Sequence, residues 1–297
     1  MRDQVRLGAI YALLAFGAWG VNPIYFKAVR SVPALEILAH RVLWSVPLLI
    51  LLVTLVKGWP QLRAALTEPR TLLALLASTL LLSGNWFVYI YAINTDRIVQ
   101  TSLGYYMNPL LFVLLGMVFL KERLSRAQAL AVFLGAVGVL NLIVQEGTIP
   151  WISLSLAGTF CAYGLIRKVI KLGSIEGLLA ETALMLPLAL AWIALLGLRG
   201  ESSFLTSDWQ LDLLIILVGP VTALPLIWFA SSARRLDYAT VGIFQYITPS
   251  IHFLLGVFVY GEPFSLAHLI TFACIWTALA IYSTDALRRA ARSGEHS

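Results

Sequence analysis

The stretch that decides the fold is residues 102–128, SLGYYMNPLLFVLLGMVFLKERLSRAQ, which returns 140 positions later as residues 242–268, GIFQYITPSIHFLLGVFVYGEPFSLAH. Eight of the 27 aligned positions are identical, where composition alone gives about two or three. The identical pairs are Tyr106/Tyr246, Pro109/Pro249, Leu114/Leu254, Leu115/Leu255, Gly116/Gly256, Glu122/Glu262, Ser125/Ser265 and Ala127/Ala267. Because most of these residues are apolar, we predict a duplicated membrane unit.

The composition places the chain in a lipid bilayer. Apolar and aromatic residues make up 60% of it, charged residues only 12%, and the mean hydropathy is +0.86. A soluble domain carries about 25% charged residues. The net charge of +6 forms no clustered basic patch interleaved with aromatic residues, so we expect no nucleic-acid partner. Cys161 and Cys274 lie in separate apolar segments and are predicted to be packing residues.

Ten apolar segments have about the 20 residues that a helix needs to cross a bilayer. They are residues 6–26, 34–56, 71–94, 99–120, 126–145, 150–169, 176–198, 210–233, 239–260 and 265–284. The first follows Arg2 and Arg6, as in a signal peptide, but no small-residue cleavage site comes after it. We therefore predict that it is retained as a helix.

Basic residues predict the orientation of these spans. Sixteen of the 21 Lys and Arg residues fall on the side of the N-terminus. Only Lys27, Arg30, Arg97 and Arg199 fall on the other side. Both termini are therefore predicted to be cytoplasmic. Each repeat holds five helices, an odd number, so the second copy enters the membrane from the opposite side. We predict inverted repeats at residues 1–147 and 148–287 and a cytoplasmic tail at 288–297.

Pro109 and Pro249 are each the eleventh residue of a span and so lie near the bilayer midplane. A proline inside a helix frees a backbone carbonyl about one turn earlier, and in lipid that carbonyl needs a partner or a cavity. A packing kink is the alternative. Amide and phenol groups flank both prolines, so we predict a central binding pocket. Its predicted lining is Tyr106, Asn108, Gln245, Tyr246 and His252, with Tyr105 and Thr248 beside them.

Other polar or aromatic residues inside spans are further candidates for the pocket. They are Asn85, Trp86, Trp19, Asn22, Tyr163 and Trp228. An asparagine in a span can simply bond another helix, and a tryptophan is often an anchor at the membrane interface. Asn85 and Trp86 are too deep for an interface, whereas for Trp19 both interpretations stay open.

Ionisable residues inside spans are rare and usually functional. Glu36 and His40 share a helix face, Arg41 follows them, and Glu181 occupies the position of Arg41 in the second repeat. Arg41 either neutralises Glu36 or binds an anionic substrate, while Glu36, His40 or Glu181 is a candidate proton carrier. We predict coupling or gating roles for these four and for the two prolines. A Glu-x-x-x-His metal site lacks a third ligand, so we expect no metal.

Enzyme signatures such as a P-loop, His-Glu-x-x-His or Gly-x-Ser-x-Gly are absent from the sequence. We therefore predict a permease without a cofactor. Two alternatives are an intramembrane lipid-modifying enzyme, with Glu36 and His40 as its acid/base pair, and a non-transporting scaffold or sensor.

Several short runs, spread over both halves of the chain, form a specific combination. They are His40 to Ser45, Gly84 to Trp86, Ser102 to Pro109, Phe244 to Tyr246 and Tyr260 to Glu262. In these runs the chain resembles the EamA family of the drug/metabolite transporter superfamily, and its RarD subgroup in particular. One departure is Lys121-Glu122, where the second copy reads Gly261-Glu262. The resemblance implies an all-α membrane protein of ten helices in two inverted repeats, with a central cavity.

The same resemblance implies a permease of the bacterial inner membrane that moves amino acids, metabolites or drugs, commonly outward. We therefore expect a small-molecule exporter that works by alternating access, with protons as the candidate coupling ion.

Overall fold

A computed structural model of the protein describes residues 2–94, 98–146, 151–206, 208–259 and 266–292. Within these ranges the chain is helical and contains no β-strand. The helices are α1 (Arg2–Ala28), α2 (Ala34–Leu55), α3 (Trp59–Thr67), α4 (Pro69–Asn94), α5 (Ile98–Leu120), α6 (Arg126–Glu146), α7 (Trp151–Val169), α8 (Ser174–Arg199), α9 (Trp209–Ala233), α10 (Tyr238–Gln245), α11 (Ile247–Leu254) and α12 (Leu266–Arg292). A π-helical turn, Leu255–Val259, follows α11. The all-helical prediction is confirmed for these residues.

The helices have the length and the surface of membrane spans. In the described ranges α1, α2, α4, α8 and α9 are long and apolar enough to cross a bilayer, and shorter apolar stretches lie in α5, α6 and α12. Leu73, Leu80 and Phe87 of α4 are 69%, 73% and 67% exposed. Spaced seven residues apart, they line one face of the helix. Such an apolar stripe is suited to lipid, and the chain is a multi-pass membrane protein.

The predicted span 239–260 differs from a simple helix. It is divided at Tyr246, because α10 ends at Gln245 and α11 begins at Ile247. Pro249 has no N–H group to donate to the carbonyl four residues earlier. The N–H of Tyr246 donates to the carbonyl of Ile243, three residues earlier, which is one residue fewer than in an α-helix. Pro109, its counterpart, lies inside the continuous helix α5. The proline break therefore occurs in the second copy alone.

Helices of the first half pack mainly on helices of the second half. Helix α1 packs on α9 and α11, while α7 packs on α4 and α5. Helix α2 packs on α8 and α9, and α6 packs on α12. At the 140-residue offset, α1 corresponds to α7, α4 to α9, and α5 to α10 and α11. The contact of α1 with α9 therefore corresponds to that of α7 with α4, and the contact of α1 with α11 corresponds to that of α7 with α5. The two halves form one interlocked bundle.

A carboxylate of the first half caps a helix of the second. Glu122 follows α5, and its Oε1 and Oε2 accept hydrogen bonds from the N–H groups of Tyr238 at 2.6 Å and Ala239 at 2.9 Å. These N–H groups open α10 and have no partner within that helix. The partial positive charge of a helix N-terminus also favours a carboxylate there. Glu122 of the repeated motif therefore has a structural role.

Candidate functional site

Arg41 lies where helices of both halves meet. Its Nε donates to Oγ1 of Thr222 on α9 at 2.9 Å, and its guanidinium carbon lies 4.6 Å from the centre of the Trp86 ring on α4. The indole face attracts the cation. Arg41 is half-buried, and neither ion pair found among the described residues includes it. An ion pair of Arg41 with Glu36, one of the roles that the sequence left open, is therefore not found among these residues.

Three phenols lie in the neighbourhood of this guanidinium. They belong to Tyr25 of α1, Tyr89 of α4 and Tyr105 of α5, which interact with it electrostatically and are all half-buried. The hydroxyl of Tyr25 donates to a backbone carbonyl of α9. The ring of Tyr105 packs edge-on against His252, with 6.1 Å between ring centres. Arg41 therefore has polar, partly accessible neighbours from four helices.

A narrow cavity adjoins this group of side chains, between α2, α4, α8 and α9. It is too tight to admit a water molecule. It is lined by Ser45, Leu82, Trp86, Leu178, Thr182, Met185, Thr222, Ala223 and Leu226. Trp86 and Thr222 thus contact both Arg41 and the cavity, which is a closed gap between the two halves.

Glu181, at the position of Arg41 in the second half, is fully buried in a different set of partners. Its Oε1 accepts from the hydroxyl of Ser78 at 2.6 Å, and its Oε2 accepts from the hydroxyl of Tyr163 at 3.3 Å. Nη1 of the fully buried Arg167 lies 3.8 Å from Oε1. Nη1 and Nε of Arg167 have no hydrogen-bond partner. This loose pair leaves a buried carboxylate whose charge is incompletely compensated.

Two cations tie the connection after α7 to the connection after α9. Nζ of Lys168 donates to the last carbonyl of α9 at 2.9 Å and to the carbonyl of Leu236. Nη1 of Arg234 donates to the carbonyl of Leu172. Burial, together with the positive charge of neighbouring arginines, lowers the pKa of Arg234. A guanidinium titrates so far above neutrality that it stays charged. These bonds close this end of the bundle.

Aromatic rings fill the interior beside Glu181. Phe229 lies 6.1 Å from Phe16, 6.0 Å from Phe112 and 5.0 Å from Phe160, measured between ring centres. Phe229 also stacks on Tyr163, the partner of Glu181, at 6.3 Å. These rings pack the interior between α1, α5, α7 and α9.

Trp19 belongs to this interior cluster. Its ring centre lies 5.6 Å from that of Phe160 and 5.8 Å from that of Phe229. His252 Nε2 lies 3.1 Å from the backbone carbonyl of Trp19. The alternative interpretation of Trp19 as an interface anchor is therefore wrong, because the indole points into the bundle.

The residues predicted beside the two prolines are deeply packed. Asn108, Gln245 and Tyr246 are 3%, 1% and 1% exposed. Tyr246 packs in a small cluster with residues of α6 and α12, against which Tyr106 also packs. Among the described residues, the side-chain oxygens of Asn108 and Gln245 and the hydroxyl of Tyr246 find no hydrogen-bond partner. The structure does not group these residues with Arg41, and their role in binding stays a prediction.

The remaining predicted pocket residues have mixed surroundings. Nδ2 of Asn85 donates to the carbonyl of Leu156 at 2.8 Å and to Oγ1 of Thr159 at 2.9 Å, so Asn85 does bond another helix. Asn22 is half-buried, and the half-buried Trp228 packs against the main core. A binding role for these residues stays a prediction.

Glu36 and His40 hold the loop that precedes α9. Oε1 of the buried Glu36 accepts from the N–H of Ser203 at 2.7 Å and from the hydroxyl of Ser202 at 3.0 Å. His40 Nε2 lies 3.9 Å from Glu36, and the His40 ring packs on Phe204 at 5.1 Å. The loop thus covers the pair, and the described residues contain no cluster able to hold a metal ion.

Comparison with known proteins decides the family. A model of the EamA-like transporter family matches residues 6–144. An uncharacterized transporter of Vibrio cholerae is 46% identical over 97% of this chain and 95% of its own length. Protein RarD of Escherichia coli is 42% identical over 96% of both chains. The chain belongs to the EamA family.

Within the EamA family the chain falls in the RarD subgroup, because several relatives at about this identity carry that name. A protein of known crystal structure matches with a TM-score of 0.70 and 20% identity, over 92% of this chain and 96% of its own. At that identity the match concerns the fold alone. The family is one of membrane transporters, so this EamA protein is a membrane transporter.

The sequence analysis of this EamA protein missed most partners of Arg41. Thr222, Tyr25 and Tyr89 were not among the candidates, and Tyr105 was noted only as a neighbour of the midplane residues. Tyr89 follows Trp86 by three positions, which places both on one face of α4. That spacing could have identified Tyr89, whereas nothing in the local sequence links Thr222 to Arg41.

Proposed function

We propose that the protein is a secondary transporter of small solutes that works by alternating access between two inverted five-helix repeats, residues 1–147 and 148–287. The exchange of helix contacts by the 140-residue offset supports this organisation. So does the range of the family match, residues 6–144, which nearly coincides with the first repeat. Five spans per repeat invert the second copy, and the bias of basic residues supports cytoplasmic termini.

The observation that carries this proposal is the position of Arg41. A charged side chain inside a membrane costs free energy and is kept where it serves a substrate or ion pathway. Arg41 lies on α2 and contacts α4 and α9, so it touches elements of both repeats. The gap beside it is closed. If the repeats move against each other, the partners of Arg41 change, as alternating access requires.

Glu181 is the residue to which we assign proton coupling. It is buried between α4, α7 and α8, and two hydroxyl groups and a loosely placed Arg167 compensate its charge. Protonation of such a group removes a charge that the protein stabilises incompletely. We propose that this step permits the closed end to open, and that the solute leaves the cell in exchange for protons.

Reconstitution in liposomes tests this function. The purified protein should exchange at least one member of a panel of labelled amino acids, metabolites and drugs in counterflow, and a pH gradient should drive its accumulation. The Glu181→Gln variant keeps an acceptor for Ser78 but cannot ionise. It should retain counterflow and lose accumulation driven by the gradient.

The control is Glu201→Gln, which removes an exposed carboxylate outside the helices. It should behave as the unaltered protein in both assays. Normal gradient-driven accumulation by Glu181→Gln would refute the coupling role. Absence of counterflow for the whole panel would contradict transport itself.

A further inference from the structure

We propose that the transported solute carries a carboxylate, which binds the free edge of the Arg41 guanidinium. This inference rests on the proposed transport function and names the substrate class of the same site. The Arg41 side chain has five N–H donors. Thr222 accepts the one on Nε. For the four on Nη1 and Nη2, the described part of the chain supplies no hydrogen-bond acceptor.

The free edge of Arg41 is held in a defined orientation. Thr222 fixes the Nε side, and Trp86 lies against the guanidinium at 4.6 Å. A guanidinium with a fixed plane presents two parallel N–H groups, which match the two oxygens of a carboxylate. Lysine offers no such fork. The geometry therefore favours bidentate recognition over simple attraction of a charge.

Within the described residues, no carboxylate pairs with Arg41. Glu36 is engaged by the loop before α9 and by His40, and Glu181 is engaged by Ser78, Tyr163 and Arg167. No ion pair of the described residues contains Arg41. An intramembrane cation generally pairs with an anion or with backbone carbonyls. A bound anionic solute supplies the missing partner.

The surroundings indicate a monoanion with an organic remainder. In the described part of the chain, the ionisable side chains that act on the charge of Arg41 are three tyrosines, and none of these three is a cation. Phosphate sites commonly gather several cationic donors for their higher charge. The hydroxyl of Tyr25 is already bonded to a carbonyl, which leaves those of Tyr89 and Tyr105 to contact the solute. The rings of Trp86 and Tyr105 provide apolar faces beside the carboxylate.

The binding test uses the purified full chain in detergent and three matched probes, phenylacetate, phenylacetamide and phenyl phosphate. Phenylacetate should raise the unfolding temperature in a concentration-dependent way, because a ligand that binds only the folded state stabilises it. The uncharged phenylacetamide should have no effect. Equal stabilisation by the amide, stronger stabilisation by phenyl phosphate, or no effect of phenylacetate would overturn the proposal.

Variants assign the effect to Arg41. Arg41→Gln should abolish stabilisation by phenylacetate, and Arg41→Lys should weaken its apparent affinity about tenfold. Trp86→Phe leaves Arg41 in place but removes the indole beside its guanidinium, and it should also weaken the apparent affinity for phenylacetate. The control Arg199→Gln removes an exposed cation at the end of α8 and should change nothing. If Arg41→Gln fails to fold, Arg41→Lys and Trp86→Phe decide, and unchanged affinity in both overturns the proposal.

The binding test is independent of transport. Stabilisation that needs Arg41, in a protein inactive in counterflow, would support the carboxylate site and contradict the proposed function. Counterflow that is insensitive to phenylacetate and to Arg41→Lys would support the function and contradict the site.

Discussion

The contact between α2 and α9, one from each half, depends on Gly219. A Cβ atom at this position would lie 2.4 Å from the carbonyl carbon of Trp44, 2.5 Å from its oxygen and 2.7 Å from the nitrogen of Ser45. Non-bonded carbon atoms pack at about 3.5–4.0 Å. All three atoms are backbone, so they cannot turn aside as a side chain would. Gly219→Ala must therefore move the two helices apart by about 1 Å.

Three contributions set the expected size of this effect. Forcing a methyl group into a packed interface costs about 1–3 kcal/mol. The hydroxyl of Ser45 donates to the carbonyl of Arg41 at 2.6 Å and shares this proton with the carbonyl of Gly219 at 3.2 Å, so losing the longer contact costs at most about 1 kcal/mol more. Alanine regains about 1 kcal/mol through its higher helix propensity. Gly219→Ala should therefore lower the free energy of unfolding by about 1–3 kcal/mol.

Thermal unfolding in detergent measures this loss, with Gly158→Ala as the matched control. Gly158 lies in the middle of α7, and a Cβ atom there would meet nothing within 4 Å. The control should unfold at the temperature of the unaltered protein or above it, because only the propensity changes. If Gly219→Ala unfolds together with Gly158→Ala, α2 and α9 do not meet backbone to backbone.

Three further changes test the contacts that hold the bundle and its site. Glu122→Ala removes two helix-capping bonds and should lower the free energy of unfolding by about 1–3 kcal/mol. Thermal unfolding measures this loss, with Glu201→Ala as the control, and equal stability of the two variants would contradict the cap. Glu36→Ala frees the anchored N–H and hydroxyl of loop 200–206, so amide hydrogen exchange of that loop should accelerate, whereas unchanged protection would mean that the carboxylate does not hold it. Thr222→Val removes the acceptor for Nε of Arg41 and should raise the KM of counterflow about two- to tenfold at unchanged thermal stability. An unaltered KM would argue against a role of Thr222 in positioning the guanidinium.

The proline pair shows how far repetition in a sequence predicts structure. Pro109 and Pro249 occupy equivalent positions, yet only the helix around Pro249 is interrupted. A proline removes the same backbone bond in both copies. Whether the helix absorbs this loss depends on its neighbours, and each copy has different neighbours. Residues that match between the two copies therefore predict the same place in the fold more reliably than the same backbone conformation.

Glu36 and His40 show the same limit for a functional site. Their spacing places them on one helix face, and the structure keeps them 3.9 Å apart. No local pattern predicts that Ser202 and Ser203, 166 and 167 positions further along the chain, hydrogen-bond to Glu36. That contact turns a candidate acid/base pair into an anchor for a loop.

The sequence by itself determined most of the long helices, their approximate bounds and the membrane as their solvent, but not the short helix α3 or the division of the span 239–260. The reason is local: a backbone in lipid must satisfy its own hydrogen bonds, and about 20 apolar residues do so as one helix. Only the tertiary structure decided that Arg41 meets Trp86 and Thr222, and that Glu181 meets Ser78 and Arg167. These partners lie on separate helices. Whether they meet depends on how closely side chains and glycines allow those helices to approach, and the spacing of residues along one helix does not predict that distance.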